Sequence, residues 1–133
     1  MKALTIREPF ASLIKEGYKK YETRSFKTNY RGELYIHAGK AKVKVKEKQF
    51  ENRPHLKELS NNLDYMYGKI ILKCNLKDCI YMDEEFINEI KKDEDEYACG
   101  HYEIGRYAWL LEDIEVIDPI EINGQLGLWN FER

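Results

Sequence analysis

The sequence predicts an α+β domain built on a small curled sheet or barrel. Three observations carry this prediction. The 133-residue chain fits one hydrophobic core, so residues 1–133 are expected to form a single domain. Apolar residues alternate in several short segments that lie far apart in the chain, and they recur at helical spacing in a few others. The resulting order is β-α-β-β-α-β-α-β-β, without an internal repeat or a low-complexity linker.

The chain opens with a strand, a short helix and a second strand. Lys2–Ile6 has the pattern of a strand, and Pro9 suits the first turn of a helix, where its missing N–H leaves no bond unmade. An apolar face at helical spacing follows, and Gly17 ends this helix because glycine tolerates the left-handed conformation. The period of the sequence pattern then changes from helical spacing to two residues, which predicts extended backbone over Tyr21–Arg24.

The next strand and a polar segment make up the middle of the chain. Glu33–His37 alternates as a strand does, which assigns His37 to the polar face. Lys40–Leu63 is rich in lysine, and we expect it to be partly helical and interrupted at Pro54.

A strong β pattern begins the second half. Gly68–Met82 contains this pattern, and Asp83 is a suitable N-cap for a helix that ends near Ile90. The acidic segment Asp93–Gly100 is predicted to be a loop.

The last predicted strands form one long strand or a bent pair. They are Tyr107–Leu111 and Ile114–Ile117, and Pro119–Arg133 closes the chain with Gly124 and Gly127 as turn points.

Charge is unevenly distributed along a chain whose net charge is only −2, which argues against a protein that coats nucleic acid. A later acidic segment fits solvated helix faces, whereas an earlier basic stretch is able to contact phosphate. The acidic residues are Asp83, Glu84, Glu85, Glu89, Asp93, Glu94, Asp95 and Glu96. The basic residues are Lys40, Lys42, Lys44, Lys46 and Lys48.

Composition favours a cytoplasmic protein without a cofactor. The sequence has neither a signal peptide at its start nor an apolar run long enough for a membrane span. It also lacks a P-loop and a GxGxxG motif. The three cysteines Cys74, Cys79 and Cys99 fit buried, reduced thiols better than a zinc site completed by His101, so we expect no metal.

The densest polar cluster lies between Gly17 and Arg24. Glu22 and Arg24 are two apart in a predicted strand and share a face, and Lys19 follows the helix end closely enough to reach them. One carboxylate between two cations suits a polar heterocyclic or anionic ligand, or proton transfer shared by Lys19 and Glu22. An exposed ion-pair network without a ligand is the alternative.

Other candidates flank this cluster. Arg7 and Glu8 lie at a strand-to-helix junction, where free N–H groups favour anions, although Glu8 is equally suited to cap the helix. His37 and the nearby Lys40 are candidate ligand contacts, and a structural histidine is the alternative.

Three aromatic residues suit stacking on a base. Tyr107, Trp109 and Trp129 provide large rings, of which Trp109 is a candidate ligand contact. Aromatics inside apolar strands more often belong to the core, which is the alternative.

The opening of the chain resembles an ASCH domain. The family pattern GxKxxExR is matched by Gly17, Lys19, Glu22 and Arg24, and it is preceded by a helix that starts at Arg7-Glu8-Pro9. The segments 31–38, 105–111 and 124–129 also resemble family members. The resemblance implies a PUA-like fold, a small β-barrel with flanking helices. It also implies a cleft for RNA or other nucleic acid that the motif residues line.

Three functions follow from the residues and the resemblance together. The first is binding of RNA or a modified nucleoside by Lys19, Arg24 and Arg7, with Glu22 accepting a base N–H. The second is an amidohydrolase for N-acylated cytidine, although such relatives have threonine where this chain has Glu22. The third is a protein-interaction or regulatory domain, which exposed aromatic patches away from the motif would favour.

Overall fold

A computed structural model describes residues 1–44, 50 and 53–132 and confirms the α+β class. Six strands form one curled sheet, and four helices are described around it. The strands are β1 (Lys2–Ile6), β2 (Tyr21–Arg24), β3 (Gly32–Ala38), β4 (Lys69–Tyr81), β5 (Tyr107–Glu121) and β6 (Leu128–Asn130). The helices are α1 (Phe10–Lys15), α2 (Pro54–Ser60), α3 (Glu84–Ile90) and α4 (Glu94–Ala98).

The strand order β2-β5-β4-β3-β1-β6 brings distant parts of the sequence together. The crossover through α1 makes β1 parallel to β3, and the other neighbours are antiparallel. The short strands β2 and β6 form the two edges of the sheet. As a result, the end of β1 lies close to β2 and to the loop before β5. The candidate site lies where these three segments meet.

Helix α1 forms and ends as its sequence predicts. Its buried residues Ala11 and Ile14 belong to the sheet core, whereas Leu13 belongs to a separate cluster with Leu56 and Cys99. The chain leaves the helix at Gly17 with a φ of 88°. A side chain would be strained at this φ, so Gly17 fixes the turn that brings Lys19 to the start of β2.

Strand β4 falls within the predicted segment Gly68–Met82, whereas β5 extends beyond its predicted end at Ile117. The two strands form one long antiparallel pair with three register shifts. Tyr107–Leu111 and Ile114–Ile117 therefore belong to a single strand, despite a positive φ of 56° at Asp113. The predicted cap of α3 is confirmed, since an Asp83 side-chain oxygen accepts a 2.8 Å hydrogen bond from the backbone N–H of Phe86.

The sequence patterns missed two elements, α4 and β6. The segment predicted as the loop Asp93–Gly100 contains α4, which the Asp93 side chain caps by accepting from the N–H of Glu96. Pro54 begins α2, in keeping with proline at a first helical position, so the expected partly helical structure of Lys40–Leu63 is confirmed for this part. Residues 45–49 and 51–52 lie outside the described residues, so the expected interruption at Pro54 stays a prediction. The closing segment also forms β6, where only turns were expected.

No helix among the described residues is both long and apolar enough to cross a membrane.

Candidate functional site

A cleft of about 560 Å³ opens where β1 meets α1. One wall is the end of β1, including Thr5 and Arg7, and another is β2 with Glu22 and Arg24. The segments 39–41 and 99–101, with the side chains of Arg53 and Arg106, complete the lining. Its volume lies in the usual range for small-ligand sites. The cleft therefore collects residues from six separate parts of the sequence.

The motif residues Lys19, Glu22 and Arg24 form one ion-pair network at this cleft. The Glu22 carboxylate lies 2.8 Å from the Arg24 guanidinium and 3.6 Å from the Lys19 ammonium. Glu22 and Lys19 are buried, with 7% and 2% of their surfaces exposed. Because both charges have lost most of their water, the pair must be held by neighbouring polar groups to be stable.

Backbone carbonyls supply those neighbouring groups. Lys19 Nζ donates to the carbonyl oxygen of Cys99 at 2.7 Å, and the Arg24 guanidinium donates to that of Thr5 at 3.1 Å. Arg24 also lies over the ring of Trp109, 5.9 Å from its centre. The guanidinium is thus fixed between β1 and β5, whereas 22% of its side chain remains exposed for a ligand.

The loop 98–101 is held at the cleft by two further arginines. The Arg53 guanidinium donates to the carbonyls of Ala98 and Gly100, the latter at 2.8 Å. Arg106 Nε donates to the carbonyl of His101 at 3.0 Å. Neither arginine was predicted as a site residue, because both reach the cleft through contacts between distant segments. Arg106 lies in the segment 105–111, which resembles ASCH family members, and this resemblance was the one indication that it belongs to the site.

The cleft concentrates positive charge in a chain whose net charge is −2. Among the described residues that line the cleft, Glu22 is the one carboxylate, and six side chains are cationic: Arg7, Lys19, Arg24, Lys40, Arg53 and Arg106. A concave surface with one sign of charge focuses its field and attracts anions. The arrangement therefore suits an anionic ligand that also presents a hydrogen-bond donor to Glu22.

Arg7 and Lys40 are the exposed cations at the cleft. Lys40 Nζ donates to the Asn123 side chain, which places it beside the loop before β6. In the basic stretch, Lys42 lies 4.1 Å from the centre of the Tyr67 ring. Lys46 and Lys48 lie outside the described residues, so their predicted contact with phosphate stays a prediction.

Glu8 has a structural role, which was the alternative prediction. Its carboxylate is fully buried and accepts from the backbone N–H and the hydroxyl of Ser12, at 2.8 and 2.6 Å. It also accepts from the N–H of Met66 at 3.2 Å. Glu8 thereby stabilises the first turn of α1, and it does not line the cleft.

His37 is buried, so its assignment to a polar strand face is wrong. The reason is that β3 lies inside the sheet and is covered on both faces. Nε2 is 2.7 Å from the carbonyl of Ile122 and must donate, which leaves Nδ1 to accept from the Thr5 hydroxyl at 3.1 Å. The Thr5 oxygen in turn accepts from Trp129 Nε1 at 3.1 Å. His37 is therefore a structural histidine beside the cleft.

The tryptophans belong to the core. Trp109 and Trp129 are 1% and 4% exposed, and Trp109 Nε1 donates to the carbonyl of Phe26 at 3.2 Å. A ring buried to this extent offers no face to a base, so Trp109 supports the site by packing under Arg24.

Glu96 connects α4 to the motif strand. This buried carboxylate accepts from the backbone N–H groups of Lys20 and Tyr21, at 2.7 and 3.4 Å, and from the Tyr102 hydroxyl at 3.2 Å. Burial raises the pKa of Glu96, and these donors and Lys19 oppose the rise. Glu96 thus holds the start of β2, which carries Glu22 and Arg24.

The buried cysteines are unsuited to act as nucleophiles. Burial raises the pKa of Cys74 and of Cys99 to about 12, so both remain neutral thiols near pH 7. Cys79 is half-buried, and all three are free. Among residues 1–44, 50 and 53–132, no cluster of His, Cys, Asp and Glu has the arrangement of a metal site.

The α+β architecture is a curled six-stranded sheet with flanking helices, and the PUA-like class to which ASCH domains belong has this architecture. The ASCH domain family profile matches residues 4–124 of the 133-residue chain. The chain belongs to the ASCH domain family. A search of curated proteins found no significant match.

Proposed function

We propose that this ASCH domain binds RNA, or a nucleotide-like ligand, in the cationic cleft. The observation that carries the proposal is the convergence of six cationic side chains on one cleft in an otherwise acidic chain. Arg7 and Lys40 are exposed and Arg24 is partly exposed, so all three are accessible to phosphate oxygens. Arginine suits such a contact because its planar guanidinium donates two parallel hydrogen bonds.

Glu22 gives the cleft a way to discriminate among anions. Its carboxylate is fixed by Arg24 and Lys19 and accepts hydrogen bonds only. A base amino or imino N–H would satisfy it, whereas inorganic phosphate would meet a repulsive charge. The ligand class favoured by the cleft is therefore an anion with a donor-bearing heterocycle, as in a nucleotide.

Hydrolysis of an N-acylated nucleoside is supported less well by the same contacts. Lys19 is engaged by the Cys99 carbonyl and by Glu22, and only 2% of its surface is exposed. The hydroxyl of Thr23 accepts from the N–H of His101 at 3.0 Å and so is positioned to hold the loop 98–101. These roles favour a binding site over a site for proton transfer.

Salt dependence of RNA binding tests the proposal. We expect short single-stranded RNA to bind at low salt, with the logarithm of the affinity falling linearly with the logarithm of the salt concentration. Arg7→Gln should reduce the magnitude of that slope by about 0.7, the value for one phosphate contact to a single strand. Fluorescence anisotropy over a salt series provides the measurement.

Arg31→Gln is the matched control, because Arg31 is an exposed arginine outside the cleft. It should retain the wild-type slope. Absence of RNA binding even at low salt, or an equal loss in both variants, would overturn the proposal.

A further inference from the structure

A second cleft, of about 310 Å³, adjoins the first. The two share Thr5, Gly39 and Lys40, so they are continuous along the end of β1. The outer wall of the second cleft is the loop 124–126, and His37 lies at its back. A ligand in the first cleft that continues past Lys40 would enter this second space.

The loop that forms the outer wall is anchored at its start. The Ile122 carbonyl accepts from His37, and the Asn123 side chain accepts from Lys40. A side chain at position 124 would come within 2.5 Å of the Thr5 hydroxyl and 2.8 Å of the His37 ring. Gly124 therefore allows the loop to pack directly on β1 and β3.

Leu126 is the unusual member of this loop. Its surface is 99% exposed, although it borders a cleft whose other side chains are mostly polar. Isolated exposed leucines are common and need no special explanation. Here, however, Leu126 lines the same cleft as Lys40, and Lys40 also lines the first cleft. The second cleft therefore combines an apolar surface with a cation that both clefts share.

We propose that the second cleft is a subsite for an adjacent nucleotide of the same strand, with its base against Leu126 and the linking phosphate at Lys40. This inference rests on the proposed function and narrows it. The preferred ligand is single-stranded RNA of at least two nucleotides rather than a free nucleoside or mononucleotide. Base faces are apolar, and covering an exposed leucine with one removes apolar surface from water.

Binding of cytidine 5′-monophosphate and of two- and four-nucleotide cytidine RNAs tests the subsite by calorimetry. The RNAs should bind about tenfold more tightly than the mononucleotide, the scale expected for covering about 60 Å² of apolar surface. Leu126→Ala should weaken RNA binding about fivefold, because alanine retains little of the apolar surface that the base would cover. The same substitution should leave the affinity for the mononucleotide unchanged. Because Leu126 is fully exposed, this variant should fold normally.

Val116→Ala is the matched control, because Val116 is 56% exposed on β5 and lines neither cleft. Equal affinity for the mononucleotide and the RNAs, or equal effects of the two substitutions, would overturn the subsite while the proposed function stands. If neither the mononucleotide nor the RNAs bind at low salt, the proposed function fails and the subsite with it.

Discussion

Lys19→Met is expected to lower the free energy of unfolding by about 3 kcal/mol, the scale for removing one partner of a buried ion pair. Methionine retains most of the length of the lysine side chain but neither its charge nor its N–H donors. The Cys99 carbonyl would lose its 2.7 Å donor, and Glu22 would retain Arg24 as its charged partner. Urea denaturation measures the change.

The same substitution is expected to abolish most RNA binding. Lys19 is too buried to make more than limited contact with a ligand, so its effect is chiefly to position Glu22 and the loop 98–101. Lys20→Met is the matched control, because the Lys20 side chain is exposed and does not line the cleft. Stability and affinity lost equally in both variants would contradict the role assigned to Lys19.

Glu96→Ala is expected to cost about 3 kcal/mol of stability, because buried donors left without an acceptor each carry a desolvation penalty of about 1–3 kcal/mol. The donors are the N–H groups of Lys20 and Tyr21 and the hydroxyl of Tyr102. Loss of this anchor at the start of β2 should also weaken RNA binding. Glu89→Ala, on the exposed face of α3, is the control for removing a helical glutamate.

The pH dependence of Glu96→Gln distinguishes the ionisation of Glu96 from its hydrogen bonds. Burial raises the pKa of Glu96 above 4.5, so the folded protein holds this proton more tightly than the unfolded chain does. Its contribution to stability is full below pH 4.5 and falls as the pH rises through the folded-state pKa. The stability advantage of wild type over Glu96→Gln should therefore shrink between pH 4 and pH 7 in urea denaturation. An advantage that grows over this range would contradict the assignment.

The sequence predicts elements well where local chemistry determines them. Gly17 and Asp83 mark helix boundaries through a backbone conformation and a side-chain cap, and both act within a few residues. Helix α4 was missed because it has five residues and an acidic composition. It depends on Glu96, whose partners at Lys20 and Tyr21 lie over seventy residues away in the sequence.

The contacts of the candidate site were likewise predicted only where local geometry determines them. Glu22 and Arg24 share a face of one short strand, so their pairing follows from strand geometry. The contacts of Arg53 with Ala98 and Gly100 require the tertiary fold, and no local pattern indicates them. The burial of His37 and Trp109 was not predicted, because alternation does not reveal that a strand is covered on both faces.

The location of bound RNA tests the central claim most directly. In a titration of isotope-labelled protein with four-nucleotide RNA, monitored by amide chemical shifts, the largest changes should fall on Arg7, Arg24, Lys40 and His101. These residues lie on four segments of the sequence and share only the cleft. The amide chemical shifts of β5 residues that do not line the cleft, such as Glu115 and Val116, should remain unchanged. Changes centred on β5, with the cleft residues unaffected, would contradict a nucleic-acid site in the cleft.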